Sequence, residues 1–400
     1  MDNFQKARFL LRRKASKTGK TRNSYAYYNL FLATAIALPL TAVGLFNWAI
    51  DPQDMFDTPN YWQLNHNKIK KDNNDRLYKA TDIIRLQPTA IVVGSSRTKQ
   101  GIDPTSKWLG RSNFYNLALN GPNFYELKRY IEHAIYNQPD LDRIVLGLDF
   151  FMFNQDLENQ PTFSESRLGT SWYAPQDLVT NLFSLDSTAR SWETIKASGK
   201  APEDDYGENG FMPNRNANNG EAIWRFHQSI KLYYSLHSNY QLSPSYWNDL
   251  EEIIELCKEN NITLDIFISP AHATQWESIQ TTNKWAVFEQ WKRDLVELTP
   301  VWDFSGYNSI TTEPIAKYMD NYVDSSHYSP EIGELVLQKM LGKSQDQLPD
   351  DFGVLLTSEN INAHLQQIRE ERQQWLQAHP EEAAMVRDFY DATLSKNSDG

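Results

Sequence analysis

With 400 residues, 40% of them hydrophobic and 13% aromatic, the chain has apolar material enough for two or three domains, or for one with large insertions, and this excludes wholesale disorder. Acidic residues outnumber basic ones 51 to 39, and unevenly: residues 1–28 carry eight Lys and Arg and one Asp, leaving 31 basic against 50 acidic residues in the rest. So acidic a body argues against nucleic acid as a partner, because phosphate demands clustered Lys and Arg. The single cysteine, Cys257, excludes an intrachain disulfide and a multi-cysteine metal site.

In chain order, the first element is a membrane anchor. No charged residue occurs from Asn23 to Ile50, and Leu30–Ile50 supplies 21 mostly apolar positions. At about 1.5 Å per residue that is enough to cross roughly 30 Å of hydrocarbon. Pro39 is tolerated in such a helix, and Tyr25, Tyr27, Tyr28 and Trp48 stand where interfacial aromatics belong. All eight basic residues of 1–28 precede the span. The positive-inside bias therefore makes 1–28 a cytoplasmic N-terminus, 29–50 a single transmembrane helix, and the remainder extracytoplasmic. A cleaved signal peptide is the competing reading, against which stand the length of the apolar run and the lack of an A-x-A site after it. The acidic body without disulfides points to the periplasmic side of an inner membrane.

Residues 51–343 then read as an α/β domain. Thr89–Val93, Phe114–Leu119, Ile144–Asp149, Thr263–Ile268 and Val301–Phe304 are short apolar runs of the kind buried strands show. Amphipathic stretches at Phe124–Tyr136, Trp247–Glu259, Gln275–Leu298 and Pro330–Leu341 read as helices. This alternation predicts a doubly wound, parallel, five-stranded sheet. Residues 155–245 form an insertion, with helices expected at Leu185–Ala197 and Glu221–Leu236 and a Gly/Asn-rich connector at Gly199–Gly220. It is either a helical cap over the carboxyl edge of the sheet or a purely structural addition. Residues 344–400 are a tail of helical spacing, read as a peripheral hairpin broken at His379-Pro380.

Open parallel sheets bind ligands at the carboxyl ends of their strands. The first strand runs directly into Gly94-Ser95-Ser96-Arg97, a small tight turn able to expose a hydroxyl. A serine nucleophile needs a base, and that base needs a group holding its tautomer. Only His272 and His327 lie in segments expected to reach this edge, and Asp324, three residues before His327, favours His327 as the base. His272 reads instead as a wall residue. Arg97 either pairs with an anionic acyl carrier or glycan or makes a structural salt bridge, the second being preferred. Asn116 and Asn120 serve either the site or the backbone groups at a strand end. No pair of candidate ligands has a diagnostic metal spacing, so no metal and no cofactor is expected.

Gly94-Ser95-Ser96, Asn116-Leu117-Ala118-Leu119-Asn120-Gly121 and Asp324-x-x-His327 together resemble the blocks of SGNH hydrolases over roughly residues 89–341, with Ser95 where that family has Asp. One membrane span followed by Gly-Ser-Ser resembles the membrane-anchored branch that includes teichoic acid D-alanyl transfer proteins and the alginate and cellulose O-acetyltransferases. The resemblance implies a flavodoxin-like sheet, Ser96 as nucleophile, His327 as general base, Asp324 as its orienter, and the Gly121 and Ser96 N–H groups as oxyanion donors. The family's third block, Gly-x-Asn, is here Gly147-Leu148-Asp149, and an ionised carboxylate cannot donate to an oxyanion. Asp149 is therefore protonated, or binds a cationic or hydroxyl-bearing acceptor, or faces away while Asn120 supplies the amide; the last two together are favoured.

Two functions follow. One is a serine esterase or O-acyltransferase acting on an exported polysaccharide or other envelope polymer, with a membrane-bound O-acyltransferase as the partner the resemblance implies. The other is a non-catalytic, membrane-tethered scaffold or glycan-binding subunit, favoured by Asp149.

Overall fold

The computed structural model describes residues 3–61, 63–68, 71–200, 209–213, 221–342 and 348–398. Most of the Gly199–Gly220 connector and the first residues of the 344–400 tail lie outside them. The chain divides into two compact units, one made of Met1–Asn73 with Ala174–Pro202 and the other of Asn74–Tyr173 with Glu203–Gly400.

The larger unit is a mixed α/β structure built on one six-stranded sheet. The strands are β1 (Ala90–Val93), β2 (Phe114–Asn116), β3 (Arg143–Leu148), β4 (Thr263–Ile268), β5 (Val301–Asp303) and β6 (Val354–Leu356), in the order β2-β1-β3-β4-β5-β6. The first five are parallel; β6 pairs antiparallel with β5, Val301 opposite Leu356. All four residues of β1 are fully buried, which is why its sequence is apolar throughout rather than alternating. Ile91, Val93, Ile144, Leu146 and Ile268 face one core, with α4 (Phe124–Asn137), α8 (Pro244–Glu259), α9 (Ala273–Thr281) and α10 (Trp285–Leu298). Ala90, Val92, Val145 and Phe267 face the other, closed by α11 (Pro330–Leu341).

The sequence reading placed the five parallel strands and missed the sixth. β6 lies in the tail, and the tail is not peripheral: α12 (Ile361–Ala378) buries Leu365, Ile368 and Trp375, and Ile368, Trp375 and Ala383 of α13 (Pro380–Ser398) join the main core. The single helix expected over Gln275–Leu298 is two, because Asn283 takes a left-handed conformation (φ 57°) between them, which asparagine tolerates. A helix not expected, α2 (Asp75–Leu86), covers the approach to β1.

The smaller unit is organised by α1 (Asn3–Ile50), whose stretch Tyr25–Ile50 is long and apolar enough to cross a membrane. Its last turns pack against α5 (Pro175–Phe183) and α6 (Leu185–Ser198). The Asn47 amide donates to the Leu182 carbonyl (2.9 Å) and Thr188 Oγ1 (3.1 Å), and its oxygen accepts from Ser191 Oγ (2.9 Å). Beyond the helix, Lys68 pairs with Asp51 and Asp54. The 155–245 insertion is therefore not one cap. Its middle, α5 and α6, completes the unit that contains α1, while residues 155–173 and its last helix, α7 (Ala222–Ser238), stay with the sheet unit.

Candidate active site

The crevice beside the carboxyl ends of β1 and β3 lies where the strand order turns from β2 on one side to β3 on the other, the place at which parallel sheets expose binding groups. β1 ends, Gly94 and Ser95 turn the chain, and Ser96 opens the short helix α3 (Ser96–Gly101). Ser95 Oγ caps that helix by accepting from the Arg97 N–H (3.1 Å). Asn116 holds α3 from the far side, its amide donating to the carbonyls of Thr98 (3.1 Å) and Ile102 (2.8 Å).

Asp324 and His327 sit in a tight loop closed by the bridge between Tyr322 and Tyr328. Asp324 Oδ1 accepts from the backbone N–H groups of Ser326 (2.7 Å) and His327 (2.9 Å), while Oδ2 lies 2.8 Å from His327 Nδ1. His327 Nε2 is 2.8 Å from Ser96 Oγ, across 231 residues of sequence. Burial works against the charge of Asp324, but His327 and these donors outweigh it and hold its carboxyl below the usual range. An ionised Asp324 fixes the proton on Nδ1, which leaves Nε2 to accept the Ser96 hydroxyl proton.

Ser96, Asp324 and His327 open into a cleft of about 430 Å³. Gly121 lies on its wall with φ +51°, a left-handed turn that glycine adopts without strain, and its carbonyl accepts from Gln160 Nε2 (3.0 Å). The opposite wall comes from α7, through Trp224, Arg225, Ser229, Leu232 and Tyr233.

The other candidates lie elsewhere. Asp149 and Arg97 do not line the cleft; they are buried under the Ser95-Ser96 turn and bind each other, Arg97 Nη1 to Asp149 Oδ1 at 2.7 Å. The second Asp149 oxygen accepts from Ser95 Oγ (2.5 Å), so neither is offered to an acceptor. Burial opposes the Arg97 charge, and the Asp149 carboxylate overrides this, keeping the guanidinium protonated. Arg97 Nε donates to Ser326 Oγ (2.8 Å), which also shares a hydrogen bond with Tyr233 OH (2.8 Å). His272 is fully buried and caps α9: its Nδ1 accepts from the Thr274 N–H (3.2 Å) and its Nε2 lies 2.7 Å from the Glu313 carbonyl. Burial pushes its pKa down to about 4, so it stays neutral. Asn120 lies outside the cleft lining; its N–H donates to Asp75 (2.7 Å), and its carbonyl accepts from Arg76 (3.0 Å). Among the described residues no group of three His, Cys, Asp or Glu side chains could hold a metal ion.

The helix expected at Glu221–Leu236 is α7, and it lies over the cleft as one of the two readings of the insertion has it; sequence reasoning missed Arg225, Tyr233 and the role of Ser326. Nothing in Arg225 or Tyr233 distinguishes them from other residues of an amphipathic helix, and only the fold brings them to the cleft of Ser96. No protein-family model matches the chain, and no curated protein matches it significantly.

Proposed function

We propose that the chain is a membrane-anchored serine esterase or O-acyltransferase of the SGNH-like class, its parallel strands doubly wound in the flavodoxin-like order and its cleft facing the extracytoplasmic side. The observation that carries this reading is the unbroken relay Asp324–His327–Ser96, with both contacts at 2.8 Å and the serine at the mouth of a cleft. In the first step Ser96 Oγ attacks the acyl carbonyl carbon while His327 Nε2 takes its proton. Collapse of the tetrahedral species expels the donor's alcohol, which recovers that proton, and leaves an acyl-serine. A sugar hydroxyl of an exported polymer, or water, then attacks the ester with His327 again as base, releasing product and free Ser96.

The N–H groups of Ser96 and Gly121 are the oxyanion donors in this reading. Asp149 needs no catalytic part, since both its oxygens are engaged beneath the turn. The Trp224 and Leu232 wall suits a bulky, partly apolar acceptor such as a pyranose face. The basic residues ahead of the span support a cytoplasmic N-terminus, and a membrane-bound acyltransferase is the class of partner able to hand an acyl group across.

The test is a fluorophosphonate probe on the full-length chain in detergent. Labelling is expected at Ser96, and Ser96→Ala and His327→Ala should abolish it without shifting the melting temperature by more than a few degrees. A folded wild-type chain that stays unlabelled, and inert toward p-nitrophenyl acetate, overturns the reading.

A further inference from the structure

The α5–α6 hairpin is built the wrong way round for water. The face that α6 buries consists of hydroxyls: Ser187, Ser191, Thr194 and Ser198 are each 1% exposed or less. Among what it and α5 leave open are large apolar side chains, Leu185 at 89% exposed, Val179 at 61%, Trp192 at 55% and Phe183 at 45%, with Asp186, Glu193 and Lys196 of α6 exposed beside them. A surface hairpin in water reverses this pattern, whereas helices in lipid pack through small and hydroxyl side chains and turn their apolar ones outward. The contact with α1 has the same character. Gly44 is buried there, a β-carbon on it would lie 2.7 Å from the Phe183 ring, and Asn47 makes the polar bonds.

The depth of this contact follows from α1 itself. Tyr28 and Trp48 are 20 residues apart, about 30 Å along a helix, which matches the hydrocarbon thickness between two aromatic belts. α5 meets α1 through the stretch 37–48, the C-terminal half of the span. A groove of about 580 Å³ runs there, lined by Ala37, Leu40, Leu45, Trp48, Leu182 and Phe183, almost without polar surface. Charged side chains of α6, Asp186 and Arg190, pair with each other on another side of that helix (2.7 Å), and Trp192 packs against Phe46 with ring centroids 5.3 Å apart.

We propose that α5 and the start of α6 are embedded in the bilayer leaflet that holds the C-terminal half of the α1 span, and that the groove between α5 and α1 is occupied by phospholipid acyl chain. The occupant is lipid because one wall of the groove is the membrane-crossing helix and the exposed residues of the other continue its apolar surface. The inference rests on α1 spanning a bilayer, so the experiment reads both elements.

Full-length chain carrying Cys257→Ala is reconstituted in phosphatidylethanolamine–phosphatidylglycerol vesicles with one nitroxide at a time, through Val179→Cys, Phe183→Cys, Leu45→Cys or Glu193→Cys. At 179 and 183, collisions with oxygen are expected to exceed those with a water-soluble nickel chelate, as at 45, and the ratio should invert at 193. Positions 179 and 183 behaving like 193 while 45 remains in lipid overturns the embedded hairpin and leaves the span standing. Nickel reaching position 45 removes the span and the hairpin together. Spin–spin broadening at 183 would put a second copy of the chain in the groove and overturn lipid as its occupant. Should the Cys257 replacement unfold, the unmodified chain in vesicles holding a phospholipid with a diazirine in its acyl chain serves instead. Adducts are expected within residues 174–185, and adducts on α1 alone overturn the proposal.

Discussion

Arg97 and Asp149 bring together three segments of the chain: the Ser95-Ser96 turn, the end of β3, and, through Ser326, the loop carrying Asp324 and His327. Their burial sets the cost of disturbing them. Removing one partner of a buried pair leaves an uncompensated charge and costs about 3–5 kcal/mol. Asp149→Asn should therefore lower the melting temperature and also the rate of the proposed acyl transfer, the opposite of what an asparagine gained in an oxyanion hole would do. Arg97→Lys keeps the charge but loses the planar fork that reaches Asp149 and Ser326 together. A loss of about 10²-fold in kcat, the scale on which small misplacements of catalytic groups act, is expected with KM little changed. A variant with wild-type kcat would leave Arg97 a purely structural residue. The three catalytic candidates were legible because each lies in a short block whose local spacing carries its chemistry. The Arg97–Asp149 pair was not, since it joins residues 52 apart and depends on which way a strand end turns.

At the scale of elements, the tail shows how a polar-looking helix earns a place in the core. α12 is rich in Gln, Glu and Arg, yet His364 Nε2 reaches Asp303 at the end of β5 (2.8 Å), where Lys292 of α10 also binds (2.7 Å). Arg372 adds a bond to Glu277 of α9 (2.7 Å). Burial alone would raise the Asp303 pKa; Lys292 and His364 overcome it and hold the carboxyl below the usual range. A depressed folded-state pKa contributes stability that is complete above the unfolded value, about 3.9, and is lost as pH falls through the folded one. The stability gap between wild type and Asp303→Asn, measured by denaturant unfolding, should therefore be widest near pH 7 and narrow as pH is lowered below about 4. An unchanged gap at pH 3 would mean that the carboxylate contributes nothing through its charge. The parallel strands could be read from sequence because burial on both faces demands unbroken apolar runs. β6 could not: three residues at the sheet margin, with Leu355 exposed, do not rise above the pattern of a loop.

For the whole molecule, the insertion between β3 and β4 is the feature the sequence conceals most. Position in the chain suggested a lid, whereas the contacts of Ala174–Pro202 are with α1. The cue that was present, hydroxyls at 187, 191, 194 and 198 on one helical face, reads in water as a solvated stripe and takes on its meaning only against the apolar helix α1. The long apolar helix α1 is consequently part of a folded unit. Asn47→Leu in the full-length chain removes three hydrogen bonds and leaves the buried Ser191 hydroxyl without its acceptor, at about 1–3 kcal/mol for a buried group left unsatisfied, while Thr188 keeps its bond to the Ser184 carbonyl. Proteolysis within residues 174–200 should accelerate in that variant while fluorophosphonate labelling of Ser96 persists. Equal cleavage rates would mean that Asn47 does not hold the hairpin.

Biogenesis inherits a difficulty from this arrangement. Asn47 is synthesised 141 positions ahead of its partner Thr188, which does not yet exist when the end of α1 emerges. Until that stretch has folded back, the Asn47 carboxamide waits with its polar atoms unmet, and in the proposed topology assembly ends with a helical hairpin returning to a membrane the chain has already left.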